Sequence, residues 1–210
     1  MSVTVVDHPL AAALLTQLRD RATAPPVFRT LSKRLALAIA LEAIRDLPTT
    51  AVEVDGPLER TTGVVVDDLV AVPILRAGLG MLEAVTELFP EVAVGYIGLE
   101  RDEASLRPQS YYRKLPPVEG RHVLVLDPML ATGGTLSAAI QFLVDRGADH
   151  ITAICLLSAP EGCDRLAKEL DGLDIPVTVV TAAMDERLND KGYIVPGLGD
   201  AGDRLYGVVG

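Results

Sequence analysis

Asp127 and the run Ala131-Thr132-Gly133-Gly134-Thr135 are the residues of this chain best suited to chemistry. Four apolar residues, Val123 to Leu126, precede the acid, and Pro128, Met129 and Leu130 separate it from the run. An amphipathic segment, Leu136 to Val144, follows. The pattern predicts a buried parallel strand, a tight loop and a helix start. Gly133 and Gly134 let the backbone bend and come close to a ligand. Amides at a helix start point at an anion, and phosphate is the natural guest there. Thr132 and Thr135 add hydroxyl donors. Asp127 falls at the carboxyl end of the strand, where open α/β sheets bind ligands. A strand, a Gly-Gly turn and a helix also occur in α/β proteins that bind no phosphate. No Lys follows these glycines, so this is not a Walker loop, and the loop lacks G-x-G-x-x-G spacing. The acid and the two threonines favour a sugar phosphate.

Three further stretches carry polar groups that can converge on the same place. Pro73 to Gly80, PILRAGLG, puts Arg76 in a glycine-bearing turn after another apolar strand, where a guanidinium can pair with a diphosphate. A surface ion pair is the plainer role for Arg76. Glu100 to Pro117 is polar and includes Arg101, Arg107, Tyr111, Tyr112, Arg113 and Lys114. A polar loop of that length predicts either a lid over a charged substrate or a solvated excursion. The last stretch is the glycine-dense tail from Tyr193 to Gly210, with Asp200 and Asp203, which reads as an irregular cap. The histidines offer little: His8 is near the terminus, His122 precedes a buried strand, and His150 sits at a helix-to-strand turn. No Ser-His-Asp order and no nucleophile motif is present. A reaction that depends on positioning and charge stabilisation fits better.

Composition narrows the partners. At 210 residues and 49% apolar, the chain can bury a sizeable aliphatic core. A net charge of -10 argues against nucleic acid and against anionic lipid as partners. It also opposes a phosphorylated sugar, so local arginines and a divalent cation must supply the attraction. Cys155 and Cys163 suggest neither a disulfide framework nor a zinc site. No apolar run is long enough to span a membrane and no signal peptide opens the chain, so a cytoplasmic protein is expected.

The elements that must position these residues follow from periodicity. Helices are expected at Pro9 to Arg21 and from about Thr30 to Asp46, with Pro25-Pro26 as a break between them. Ala51 to Thr62 alternates around Asp55-Gly56 and predicts a β-arm. From Val64 the rhythm is strand, loop, helix. Strands are expected at Val70 to Leu75, Val92 to Ile97, Val123 to Leu126, Ile151 to Leu157 and Val177 to Thr181. Helices are expected at Leu79 to Phe89, Leu136 to Val144 and Pro160 to Leu170, with Ser158 as a cap for the last. This predicts an α/β protein with a doubly wound parallel sheet. Residues 1–210 read as one domain: helices and arm over 1–62, a core sheet over 63–181 with a lid at about 100–117, and a hood over 182–210.

DPMLATGGT resembles the phosphoribosyl diphosphate (PRPP) motif of type I phosphoribosyltransferases. Together with PILRAGLGM (Pro73 to Met81) and GYIVPGLGDAGDRLYG (Gly192 to Gly207), it is similar to the uracil phosphoribosyltransferase branch, and the likeness runs over essentially the whole chain. The resemblance implies a pyrimidine salvage activity joining uracil to PRPP, giving UMP and diphosphate. It implies that Asp127, Pro128, Met129, Leu130, Ala131, Thr132, Gly133, Gly134 and Thr135 hold the ribose 5-phosphate, with Asp127 facing the ribose hydroxyls. Arg76, Arg101 and Asp200 match PRPP-contacting positions, and Ile194, Gly199, Asp200 and Ala201 match those that read uracil through the backbone. By the same likeness Arg76, Arg101, Asp127 and Asp200 carry the catalysis. Mg²⁺ comes bound mainly through PRPP, with no dedicated protein metal site. GTP activates some relatives, so the likeness leaves it a candidate activator here, and it implies a homodimer or a higher homo-oligomer. Leu126 stands where most type I enzymes have a second acid, a pattern this branch shares. Three other readings remain open from the residues: a phosphoribosyltransferase for another base, an RNA-controlling sensor of PRPP or UMP, and a non-catalytic nucleotide-binding module.

Overall fold

The structure, a computed structural model, describes residues 1–66, 68–101 and 108–207. In chain order the elements are β1 (Ser2–Val5), α1 (Pro9–Arg19), α2 (Pro25–Ala43), β2 (Thr49–Asp55), β3 (Arg60–Val66), β4 (Leu69–Leu75), α3 (Leu79–Leu88), β5 (Ala93–Val94), β6 (Tyr96–Arg101), β7 (Pro108–Lys114), β8 (His122–Leu126), β9 (Met129–Leu130), α4 (Gly134–Val144), β10 (His150–Cys155), β11 (Leu157–Ser158), α5 (Pro160–Glu169), β12 (Val177–Thr181), β13 (Arg187–Leu188), β14 (Ile194–Val195) and α6 (Ala201–Tyr206).

The main sheet runs β1-β12-β10-β8-β4-β6-β7, with β5 also paired to β4. All its pairings are parallel except β6 with β7. Unbroken apolar strands of this kind need cover on both faces. Side chains alternate between faces with a period of two. Leu69 and Ala71 of β4 and Leu124 and Leu126 of β8 therefore join a core with α1, α2 and α3. Val70, Val72, Val123 and Val125 point the other way, into a core with α4 and α5. Helix α3, which leads from β4 to β5 and β6, thus covers one face. Helix α4, which leads from β8 to β10, covers the opposite face. The chain changes direction between β4 and β8, so a crevice opens outside the carboxyl ends of those two strands. That is the switch point where open α/β sheets bind ligands.

Several local expectations change. Pro25 and Pro26 do not break the chain; they open α2, whose first turn needs no amide donors. The stretch from Glu100 to Pro117 is not a loop throughout, because β7 extends the sheet edge antiparallel to β6. Residues 102–107, including Arg107, lie outside the described residues. Ser158 does not cap α5; Ala159 is the N-cap residue, with no side-chain cap bond. Ser158 instead pairs with Leu130 in the β9–β11 ladder. Strand β1, parallel to β12 at the sheet edge, had no expectation attached to it. The arm forms as an antiparallel β2–β3 pair, from Thr49↔Val66 to Asp55↔Arg60.

Candidate active site

The loop after β8 is built from main-chain constraints. Leu156 N and Leu157 N donate to Pro128 O at 3.0 and 3.1 Å, and Ala159 N donates to Leu130 O at 2.9 Å. These bonds tie the loop to the segment leading into α5. Gly133 then turns the chain with φ 79° and serves as N-cap of α4. The first amides of α4 have no intrahelical acceptor, and amides so placed at a helix start suit an anion. Asp127, Met129, Leu130, Ala131, Thr132, Gly133 and Thr135 line a cavity of about 260 Å³ together with Lys191, Gly192, Tyr193 and Asp200.

The other expected residues fall around that cavity in different ways. Pro128 is buried behind the turn and contributes its carbonyl to the scaffold. Gly134 is buried as the first residue of α4. Arg76 is exposed just past the end of β4, after a cis peptide with Leu75, and its carbonyl accepts a 2.9 Å hydrogen bond from Tyr206 Oη. Its loop abuts α6, since a Cβ on Gly202 would come 3.9 Å from the Ala77 Cβ. Ile194 is buried and pairs with Leu188 in the small β13–β14 ribbon. Gly199 precedes Asp200, and Ala201 is buried at the start of α6. These three do not line the 260 Å³ cavity. Asp200 does line it, and also caps α6 by accepting from Asp203 N at 2.9 Å. Arg101 ends β6, and its side chain lies outside what the structure describes.

Burial pushes the Asp127 carboxyl up to about 6, and a long 3.4 Å bond from Met129 N offsets part of that. An unfolded aspartate titrates near 3.9, so the folded chain holds this proton to higher pH. Stability of the ligand-free protein therefore falls as pH rises from about 4 to about 6 and stays lower above that. Asp127→Asn removes the effect. The variant is expected to be more stable than the parent by up to about 3 kcal/mol at neutral pH and equal to it near pH 4. Urea unfolding of both proteins at the two pH values checks this, and an equal difference at both would refute it.

Among the described residues no group of three His, Cys, Asp or Glu could hold a metal ion. Asp127 and Asp200 nevertheless both line the cavity. Magnesium takes one or two carboxylates and completes its shell with substrate phosphates and water. This donor set fits a cation that arrives on a diphosphate. The histidines lie elsewhere: His8 caps α1 by accepting from Leu10 N at 3.1 Å, and His122 and His150 stack at 4.2 Å where β8 and β10 begin.

Lys191 and Tyr193 line the cavity without having been expected there. Tyr193 opens the glycine-rich tail and Lys191 stands two residues before it, which was their only signal. Arg19 and Asp185, which hold that tail, gave no signal, because 166 residues separate them.

A model of the uracil phosphoribosyltransferase family matches residues 5–208. A uracil phosphoribosyltransferase from a Nocardioides species is 60% identical over the full length of both chains. The solved structure of the AQ2163 protein from Aquifex aeolicus superposes with a TM-score of 0.92 at 36% identity, covering 98% of each chain. A hypoxanthine-guanine phosphoribosyltransferase from Bacillus anthracis shares the fold, with a TM-score of 0.50 at 14% identity over 77% of this chain and 79% of its own.

Proposed function

The chain belongs to the uracil phosphoribosyltransferase family, and we propose that its crevice transfers the 5-phosphoribosyl group of PRPP to N1 of uracil, releasing diphosphate and UMP. One observation supports the assignment of roles: Asp127, the 129–133 turn and Asp200 line a single cavity beyond the carboxyl end of β8. The amides of the turn and the Thr132 and Thr135 hydroxyls hold the 5-phosphate. Asp127 accepts from the ribose hydroxyls. Arg76, and Arg101 by resemblance, pair with the diphosphate. The main chain at Ile194, Gly199, Asp200 and Ala201 reads the uracil edge.

The reaction breaks the bond from the anomeric carbon to the diphosphate oxygen and forms the bond to N1. Charge grows on the leaving diphosphate, and positive charge grows on the ribose ring. Arginine donors fixed in a crevice stabilise the first of these more than water can. Magnesium, bound through the diphosphate, adds charge neutralisation there. Holding both substrates in register supplies a proximity term of several kcal/mol. The N1 proton goes to solvent or to Asp200, whose cap bond uses Oδ1 and leaves Oδ2 without that duty.

Two or more copies assemble on this reading, supported by apolar residues left open on the arm, with Leu58 97% and Val64 69% exposed. GTP activation rests on the resemblance alone. The protein works in the cytoplasm, which accords with the absence of any described helix long and apolar enough to cross a membrane. Mixing the protein with PRPP, Mg²⁺ and a panel of bases tests the main reading. UMP is expected with uracil and no nucleotide with purines; no UMP would overturn it.

A further inference from the structure

The tail that faces the cavity has few regular hydrogen bonds of its own. Strand β14 has two residues, α6 has six, and the residues between them, Pro196 to Asp200, are irregular. A main chain that reads a base edge must nevertheless stay in place to within a fraction of an ångström. Something outside the tail has to hold it.

The C-terminal end of α1 does so from two directions. Arg19 reaches out from the last turn of α1 and meets Asp185 with both terminal nitrogens, at 2.7 Å to Oδ2 and 2.6 Å to Oδ1. The same guanidinium donates to Gly197 O at 2.8 Å, and Gly197 N donates to Asp185 Oδ2 at 2.8 Å. Both main-chain polar groups of Gly197, which belong to the two peptides flanking its Cα, are thus taken by one ion pair. In return, Arg204 of α6 donates to the carbonyls of Leu18 and Asp20, which α1 leaves without intrahelical partners, and to Leu198 O at 2.8 Å.

Asp185 is only 7% exposed. Burial alone would raise its pKa, but the Arg19 and Gly197 hydrogen bonds outweigh that and hold it below the usual carboxylate value. A buried pair of this kind is weak evidence for stability, because desolvation offsets much of its attraction. Hydrophobic residues would fill the space as well. What they would not do is fix a peptide in orientation. Three donors converge on two carboxylate oxygens, and the geometry is bidentate, which specifies direction as well as distance.

We propose that Arg19 and Asp185 are positioning residues for the uracil-reading main chain and that their geometry sets the affinity for the base. The role rests on the reading of the tail as the base-binding wall. It acts through Gly197, three residues before Asp200. The phosphate turn is tied to residues 156–159, and these meet Asp185 only through its main chain, Asp185 N donating to Ser158 O at 2.9 Å, a bond that substitution of either side chain leaves in place. The two substrates should therefore respond differently.

Asp185→Asn keeps the shape but offers one acceptor oxygen and sets an NH₂ against a donor. Arg19→Lys keeps the charge but cannot bridge both oxygens and the Gly197 carbonyl in a fork. Steady-state kinetics are expected to show KM for uracil raised about ten- to a hundredfold in each, with KM for PRPP within about threefold of the parent. Exchange of the Gly197 amide should speed up by about tenfold or more while that of Ala153, in the central sheet, does not change. Leu14→Ala, in the buried face of the same helix, serves as the control: it lowers stability and leaves both KM values within about twofold. A parallel rise in both KM values, or unchanged KM for uracil in both network variants, would overturn the positioning role. If Asp185→Asn does not fold, Arg19→Lys decides alone. Absence of UMP formation by the parent protein would instead strike the functional reading itself.

Discussion

Arg76→Ala is expected to lower kcat for UMP formation by about 10²–10³-fold, the usual effect of removing one fixed donor from a developing negative charge. Folding should barely register the change. The Arg76 side chain is exposed and takes part in no ion pair among the described residues, and surface substitutions of that type stay within about 0.5 kcal/mol. The hydrogen bond from Tyr206 goes to the Arg76 carbonyl, which alanine retains. The loss should sit on the diphosphate: inhibition by added diphosphate weakens in the variant, while KM for uracil stays close to that of the parent.

Arg76→Lys separates two accounts of that loss. If the role were only to raise the local potential in a chain of net charge -10, lysine would restore nearly all activity. If the planar fork matters, lysine recovers about tenfold and no more. A kcat for Arg76→Ala within about twofold of the parent would remove Arg76 from the reaction and leave it a solvated surface arginine.

Much of this fold was legible because its strands are buried on both faces. Val70 to Val72 and Val123 to Leu126 have no polar residue to interrupt them, and a run of that kind between Gly- and Pro-marked turns has few other uses. The turn at Thr132 to Thr135 was legible for a different reason: its paired glycines report a tight main-chain bend directly. Elements whose partners are distant in sequence were not. Strand β1 is exposed along its whole length and depends on pairing with Thr178 to Thr181. Strand β7 is polar and is ordered by β6 at the sheet edge, so its composition reads as loop. Arg19 and Asp185 look like ordinary surface charges until α1 is laid against the tail. Pro25-Pro26 misled because proline marks both the end of one helix and the start of another; only the missing amide requirement of a first turn tells which.

The phosphate turn gives the second large effect, and its cause is space as well as dihedral angle. Gly133 has φ 79°, a region that costs an L residue roughly 1–2 kcal/mol. A Cβ there would also stand 2.6 Å from Gly162 O, a main-chain atom of α5 that no rotamer change can move. Gly162 in turn lies so near the turn that its own Cβ would come 2.2 Å from Ala131 O. Turn and helix meet glycine against glycine, so Gly133→Ala must push the two apart. A total destabilisation of about 2–4 kcal/mol is expected, within reach of a protein of ordinary stability. Because the amides of this turn are the ones assigned to the 5-phosphate, a shift of about 1 Å should cut kcat/KM for PRPP by about 10²-fold. Gly120→Ala isolates the dihedral contribution: its φ is 67° and nothing lies within 4 Å of the added carbon. That variant should lose about 1–2 kcal/mol and keep its kinetics. Urea unfolding with PRPP kinetics on the two variants gives the comparison. Equal PRPP kinetics in both would mean that the 131–135 turn does not grip the phosphate, however well it is shaped for one.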